Sequence, residues 1–184
     1  MELLVMIRKV RLLIWLLLFL PSAPLLAAGD DVELKIKAAF LYKFCQYIDW
    51  PDGTFPSETA PLTIAVLGAS ELSRELQEAV VGRQIEGREI RILELRPEDD
   101  LKDVQVLFIG RDSQAVNAAL HDAQHPILTV SESTERDDTG IINFVIVDNR
   151  VRFDIAQDLA SRAGLKLSSQ LLSVARRVHT EASP

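Results

Sequence analysis

The sequence predicts a single α/β domain with a largely parallel or mixed sheet, helices on both faces, and a C-terminal β-hairpin followed by two helices. Short apolar runs typical of buried strands alternate with segments of helical spacing. This alternation favours a mostly parallel sheet that is covered on both sides. The chain has 184 residues, and the 156 that follow an N-terminal segment of 28 are a usual length for one domain.

Residues 1–28 are expected to be a cleavable signal peptide. Arg8, Lys9 and Arg11 precede the apolar run 12–20, and Ala27 and Ala28 offer small residues for cleavage, which is the order found in secretory signals. The run is about half the length that a membrane-spanning helix needs, and a retained N-terminal anchor is the alternative. We therefore expect the domain 29–184 to work outside the cytoplasm without stable membrane insertion, with residues 179–184 as a disordered tail.

Residues 30–48 are predicted to form a helix with more apolar surface than one core contact requires. Its apolar side chains divide into two sectors, Ile36, Phe40, Phe44 and Ile48, and beside them Leu34, Ala38, Tyr42 and Cys45. The helix should end before Trp50-Pro51, because the residue before a proline is disfavoured in a helix. One sector should face the core. The second should contact another copy of the chain or another protein, unless the proline-rich loop 51–61 covers it.

The remaining elements follow from apolar spacing and turn residues. We expect strand 62–67, helix 71–81, a strand within 85–95, strand 104–109, helix 112–121 and strand 127–130. After the acidic loop 131–140, strands 141–147 and 150–155 should form a hairpin around Asp148-Asn149. Helix 156–163 should stop at Gly164, and Ser168 or Ser169 should cap a last helix that reaches about Val178.

No metal, cofactor or catalytic site is predicted. His121 and His125 have a helical metal-ligand spacing, but no third ligand stands near them. Gly68 follows a strand, and one glycine is not a phosphate-binding motif. The net charge is −7, and about −9 without the signal segment, which argues against nucleic acid and anionic lipid as partners. Cys45 is the only cysteine; it is interpreted as a small buried hydrophobe, with an intermolecular bridge or redox role as the alternative.

Arg152 is the charged residue for which the pattern offers least structural reason. It shares a strand face with Asp154, opposite Val151 and Phe153. Asp154 fits a capping box with Gln157, whereas a strand needs no arginine. The partner-binding candidates are therefore Leu34, Ala38, Tyr42, Cys45, Trp50 and Arg152.

Several motifs in order resemble the YfiR family. The first is the run Lys37-Ala38-Ala39-Phe40-Leu41-Tyr42-Lys43-Phe44 with Trp50-Pro51 after it. The closing half resembles the family more closely. Its motifs are Gly140-Ile141-Ile142-Asn143-Phe144, Arg150-Val151-Arg152-Phe153-Asp154-Ile155, Ala163-Gly164-Leu165-Lys166-Leu167-Ser168-Ser169, Leu171-Leu172 and Ala175-Arg176-Arg177-Val178. The resemblance extends over residues 35–178, and its specificity lies in the order and spacing of all the motifs together.

This resemblance implies a periplasmic regulator without catalysis or cofactor. The best understood family role is repression of an inner-membrane diguanylate cyclase through its periplasmic sensor region, which lowers cyclic di-GMP and restrains biofilm growth. Some relatives are linked to sensor kinases instead, so a periplasmic small-molecule sensor that acts through another receptor is the alternative. The resemblance also implies an α/β fold and a homodimer. Well-studied members carry disulfides, which a lone Cys45 cannot form within one chain.

Overall fold

The computed structural model describes residues 27–110, 126–132 and 140–180, with side chains from residue 31 onward. Contacts divide the chain into the segment 1–30 and the compact unit Asp31–Pro184. The predicted helix 112–121 lies outside the described residues, as do most of the acidic loop and the last four residues.

Four helices and ten strands lie in the described part of the chain. The helices are α1 (Ala27–Cys45), α2 (Ser70–Ala79), α3 (Gln157–Arg162) and α4 (Ser169–Val174). The strands up to the middle of the chain are β1 (Ile48–Asp49), β2 (Leu62–Leu67), β3 (Gln84–Ile85), β4 (Arg88–Leu95) and β5 (Val106–Ile109). The later strands are β6 (Leu128–Glu132), β7 (Ile142–Val147), β8 (Arg150–Ala156), β9 (Lys166–Leu167) and β10 (Arg177–His179).

Eight of these strands form one mixed sheet, in the order β10-β8-β7-β6-β5-β2-β4-β3. Within the run β4-β2-β5-β6-β7, each strand is parallel to the next. The pairs β7–β8 and β3–β4 are antiparallel, and β10 is parallel to β8. Every residue of β2 is buried, as expected of a central parallel strand between two covered faces. The predicted α/β class with a mixed sheet is confirmed.

The sheet has an apolar cluster on each face. On one face, Ile64, Val66 and Phe108 pack with side chains of all four described helices. On the other face, Ala65, Leu67, Leu107 and Ile109 pack with Leu101, Val104 and Ile127. Successive residues of β2 alternate between the two clusters, which is the period of a strand.

The predicted hairpin around Asp148-Asn149 is confirmed. Both residues have positive φ, 48° and 59°, and Val147 pairs with Arg150 across the turn. This is the two-residue connection whose twist matches that of the flanking strands. The hairpin β3–β4 was not predicted as such. It turns at Glu86-Gly87, also with positive φ at both positions.

Two predictions about helix ends are wrong. The last helix ends at Val174 rather than near Val178, because residues 177–179 form β10 beside β8; His179, expected in the tail, belongs to this strand. Ile48, expected at the end of the first helix, pairs instead with Leu167 of β9. The predicted Ser168 cap is confirmed, since its side chain accepts a hydrogen bond from the Leu171 amide.

Candidate partner-binding surface

The expected division of α1 into a core sector and an uncovered sector is wrong for Ala38 and Cys45. Their exposed fractions are 1% and 2%, and both belong to the larger apolar cluster. Leu41 and Phe44, which are fully buried, lie between them in sequence and place this side of α1 on the sheet. The apolar arc of the helix is wider than one face, so spacing alone did not fix which part would be covered.

The Cys45 thiol is held in the core. Its Sγ donates a hydrogen bond to the Leu41 carbonyl oxygen at 3.2 Å. Burial raises the pKa of Cys45 from its ordinary value to about 12, because an apolar surrounding disfavours the thiolate. The protonated form is the less reactive one, which favours the buried-hydrophobe interpretation over a redox role.

Leu34 and Tyr42 are the half-buried members of the predicted sector. The Tyr42 hydroxyl accepts a hydrogen bond from Gln46 Nε2 at 2.9 Å, and the Arg83 guanidinium lies 5.0 Å from the centre of its ring. Tyr42 therefore presents an edge that is already polar. The large apolar side chains exposed on the described part of α1 are Val32 and Ile36, at 55% and 38%. Ile36 had been assigned to the core sector.

Trp50 lines a cleft beside the loop that follows α1. Its indole meets the Phe55 ring edge-on at 6.1 Å. The Arg88 guanidinium of β4 lies 3.9 Å from the centre of the Phe55 ring and donates hydrogen bonds to the carbonyls of Ser57 and Ala60 at 2.8 and 2.9 Å. These contacts hold the loop against β4.

The cleft has a volume of about 540 Å³. Its walls carry Trp50, Phe55 and Arg88 together with four acidic side chains, Asp49, Asp52, Glu58 and Glu86. The Trp50 Nε1 atom is buried and has no hydrogen-bond partner. An unsatisfied buried donor costs about 1–3 kcal/mol.

Arg152 lies exposed on β8, on the face opposite the aromatic core. Its neighbour across the hairpin is Val145. Asp154 on the same face is buried and binds Arg176, whose Nε donates to Oδ1 at 2.7 Å and whose Nη2 contacts Oδ2. The capping-box interpretation of Asp154 is therefore wrong: α3 is capped by Ala156, without a side-chain bond.

Lys37 is a buried, ion-paired residue that the sequence pattern did not single out. It is 3% exposed and lies on the covered side of α1. Its ammonium binds the Glu33 carboxylate and, at 2.8 Å, that of Glu132 at the end of β6. A buried lysine needs such partners because an uncompensated charge is costly in the interior. The ion pair thus fixes α1 to β6, and the Glu33–Lys37 spacing of four residues was the available signal.

Within the described ranges, no group of three or more metal-ligating side chains comes together. The helices in those ranges include none with the length and apolarity to span a bilayer.

A family model described as DUF4154, YfiR/HmsC-like, matches residues 34–176. The match covers most of the chain, and the chain belongs to this family. No curated protein matches it. The family is one of regulatory, non-catalytic proteins, and membership indicates a periplasmic regulator in cyclic di-GMP signalling.

Proposed function

We propose that this member of the YfiR/HmsC-like family is exported through a cleavable signal peptide and represses an inner-membrane diguanylate cyclase. In this proposal the protein binds the periplasmic sensor region of the cyclase and holds it in a state of low activity, which lowers cyclic di-GMP. The family match over residues 34–176 carries the proposal. The sequence order of basic, apolar and small residues in positions 1–28 supports export.

The side chains available for such a contact support a binding role. Tyr42, Trp50 and Arg152 are of the three types that contribute most to protein interfaces. Tyr42 lies on a helix, Arg152 lies on a strand, and Trp50 directly follows β1. Contact residues on or beside rigid elements lose little conformational freedom on binding. Ala38 and Cys45 are buried, so they can affect the contact only by packing against the residues that make it.

The test compares cells that lack the protein with cells that carry it. Deletion should raise cellular cyclic di-GMP, and the tagged protein should co-purify with one membrane-bound cyclase after detergent solubilisation. Unchanged cyclic di-GMP together with no captured cyclase would overturn the proposal. Mass spectrometry of the periplasmic protein checks export, with an N-terminus expected within two residues of Gly29.

Two variants at adjacent positions test the contribution of α1. Tyr42→Glu removes a half-buried ring from the expected contact and adds a carboxylate, whose burial under a partner would be costly. Lys43→Glu changes an exposed neighbour on the same helix and serves as the control. We expect Tyr42→Glu to fold but to raise cyclic di-GMP, and Lys43→Glu to match the parent. Equal behaviour of the two variants would remove Tyr42 from the contact.

We also propose that the protein forms a homodimer, with the exposed Val32 and Ile36 on α1 as part of the contact. Sedimentation of the mature protein over a range of concentrations tests this. Val32→Glu should shift the equilibrium toward the monomer. A parent protein that is monomeric at every concentration would contradict the proposal.

The cleft beside Trp50 favours a second candidate, a small-molecule sensor that acts through a membrane receptor. Its volume of about 540 Å³ lies within the range of ligand pockets. Aromatic walls and four carboxylates suit an aromatic amine. Trp50 is the only tryptophan after residue 28, so its emission reports on the cleft. Titration with tyramine should change this emission saturably, and less in Glu86→Gln. Unchanged emission would remove this ligand class.

A further inference from the structure

The register of β8 and β10 brings four basic side chains to one face of the sheet. Arg150 and Arg152 alternate with the core residues of β8 and so point away from the aromatic cluster. In β10, Arg177 is level with Asp154 and His179 is level with Ala156, which places both on the face of Arg152. All four are exposed. We call Arg150, Arg152, Arg177 and His179 the basic face.

No carboxylate of these two strands neutralises the basic face. Asp154 is their only acidic residue on this side, and it is 3% exposed and bound to Arg176. Across the hairpin, the residues level with Arg150, Arg152 and Asp154 are Val147, Val145 and Asn143, which carry no charge. In the part of the chain that the structure describes, no hydrogen bond or ion pair of the four basic side chains is found.

Among the residues that the structure describes, three exposed arginines on two strands whose one acidic residue is buried are unexpected in this protein. The chain carries a net charge of −7, and a solvated protein surface normally mixes both signs. This local excess of positive charge points to a negatively charged binding partner.

We propose that the basic face docks an extended acidic segment of a protein partner. The inference rests on the proposed function, in which that partner is the periplasmic sensor region of the cyclase. Alternate residues of a strand stand about 7 Å apart, so Arg150 and Arg152 match alternate carboxylates of an extended segment. Arginine binds a carboxylate through two parallel N–H donors. β10 is also the last strand of the sheet, so its outer edge can pair with an added strand.

Charge complementarity selects a protein segment over a membrane. The net charge of the mature chain, about −9, opposes approach to an anionic lipid surface, where stable binding needs several clustered basic residues. A short acidic segment meets only the basic face and does not experience most of the acidic remainder, because exposed charges beyond about 10 Å are screened at 0.1 M salt.

Charge reversal tests the proposal. Arg152→Glu/Arg177→Glu reverses two charges of the basic face. The control Arg74→Glu/Arg91→Glu reverses two exposed arginines elsewhere, on α2 and on β4 near the opposite edge of the sheet, with the same change in net charge. Binding of the purified sensor region is measured at 0.05 M and 0.5 M NaCl. We expect the first variant to lose roughly tenfold or more in affinity at low salt, with a smaller loss at high salt, as for complementary surface charges.

A second measurement separates this inference from the proposed function. Fluorescence anisotropy measures binding of a labelled, alternating Glu-Thr peptide of eight residues, and a labelled Lys-Thr peptide is the comparison. Inorganic phosphate and vesicles containing anionic phosphatidylglycerol are added as competitors. Preferential binding of the Glu-Thr peptide, lost in Arg152→Glu/Arg177→Glu, supports the basic face even if the parent fails to bind the sensor region, which would sink the proposed function alone. Equal affinities of the two double variants for the sensor region would overturn the inference and leave repression standing. Preference for phosphate or vesicles would also overturn it. Thermal melts confirm that each variant is folded.

Discussion

Truncation of Phe153 should lower the free energy of unfolding of the domain by a large amount. It is 3% exposed on β8, and its ring meets those of Phe40 and Phe44 edge-on at 5.5 and 4.9 Å. Phe144 is its partner across the hairpin. Phe153→Ala removes the ring from the centre of this cluster and leaves a cavity, for which a loss of about 3–5 kcal/mol is usual. We expect the upper half of that range, since each edge-to-face pair adds about 0.5–1.5 kcal/mol beyond the buried area.

Urea denaturation of the purified domain measures this loss. For a domain of this size, about 4 kcal/mol corresponds to a fall in melting temperature of roughly 8–16 °C. Arg152→Ala, one position earlier on the exposed face, is the matched control and should change the free energy of unfolding by less than about 0.5 kcal/mol. Equal losses in the two variants would refute the assignment of the two faces of β8, and a loss below about 1 kcal/mol for Phe153→Ala would refute the central role of its ring.

Three further outcomes are expected. Asp154→Ala should lower the free energy of unfolding by about 1.5–3 kcal/mol, the range for a hydrogen bond between charged groups, because the Arg176 that it leaves is exposed; it should also speed amide exchange in β10. Asp154→Asn should lose less, and equal losses would contradict a charge-dependent pair. The Cys45 thiol should resist iodoacetamide at pH 8 until the protein unfolds, and labelling of folded protein would contradict its burial. Because burial raises its pKa from 9.0 to about 12, its stabilising contribution should be full below pH 9 and fall as the pH rises toward 12, which denaturation of the parent and Cys45→Ala at pH 8 and 10.5 checks. Gly140→Ala should cost about 1–3 kcal/mol in urea denaturation, since a Cβ there would lie 2.8 Å from the Ile142 carbonyl oxygen; an unchanged midpoint would show that the backbone yields.

Local chemistry made the strands and the C-terminal hairpin predictable. Asp148 and Asn149 can adopt positive φ, and apolar strands flank them, so the turn was determined within ten residues. The strand β2 was found because a fully buried strand is an unbroken apolar run. The β3–β4 hairpin was not predicted because β3 has only two residues, too few to show an alternating pattern. The dipeptide Glu86-Gly87 was its only local signal.

The C-terminal strand β10 depends on contacts between residues far apart in sequence, so it was not predicted. Residues 175–178 read as a continuation of the last helix, and nothing nearby opposes it. In the fold, the Arg176 amide donates to the Phe153 carbonyl at 2.9 Å, and its guanidinium binds Asp154. A buried carboxylate without that guanidinium would be costly. This long-range pair therefore favours the strand over one more helical turn.

Long-range contacts also decide which partner candidates on α1 are buried. Spacing identified an apolar arc too wide for one contact, but not which part of it the sheet would cover. Contacts with distant parts of the chain decide this. The Lys37 ammonium binds Glu132, 95 positions later in the chain, and Leu41 packs into the apolar cluster of the sheet. Val32 and Ile36 are consequently left outside. The apolar surface available to a partner therefore depends on long-range contacts of α1, among them an ion pair that hydrophobic periodicity does not register. Arg152 was recognised only because no local role explained it.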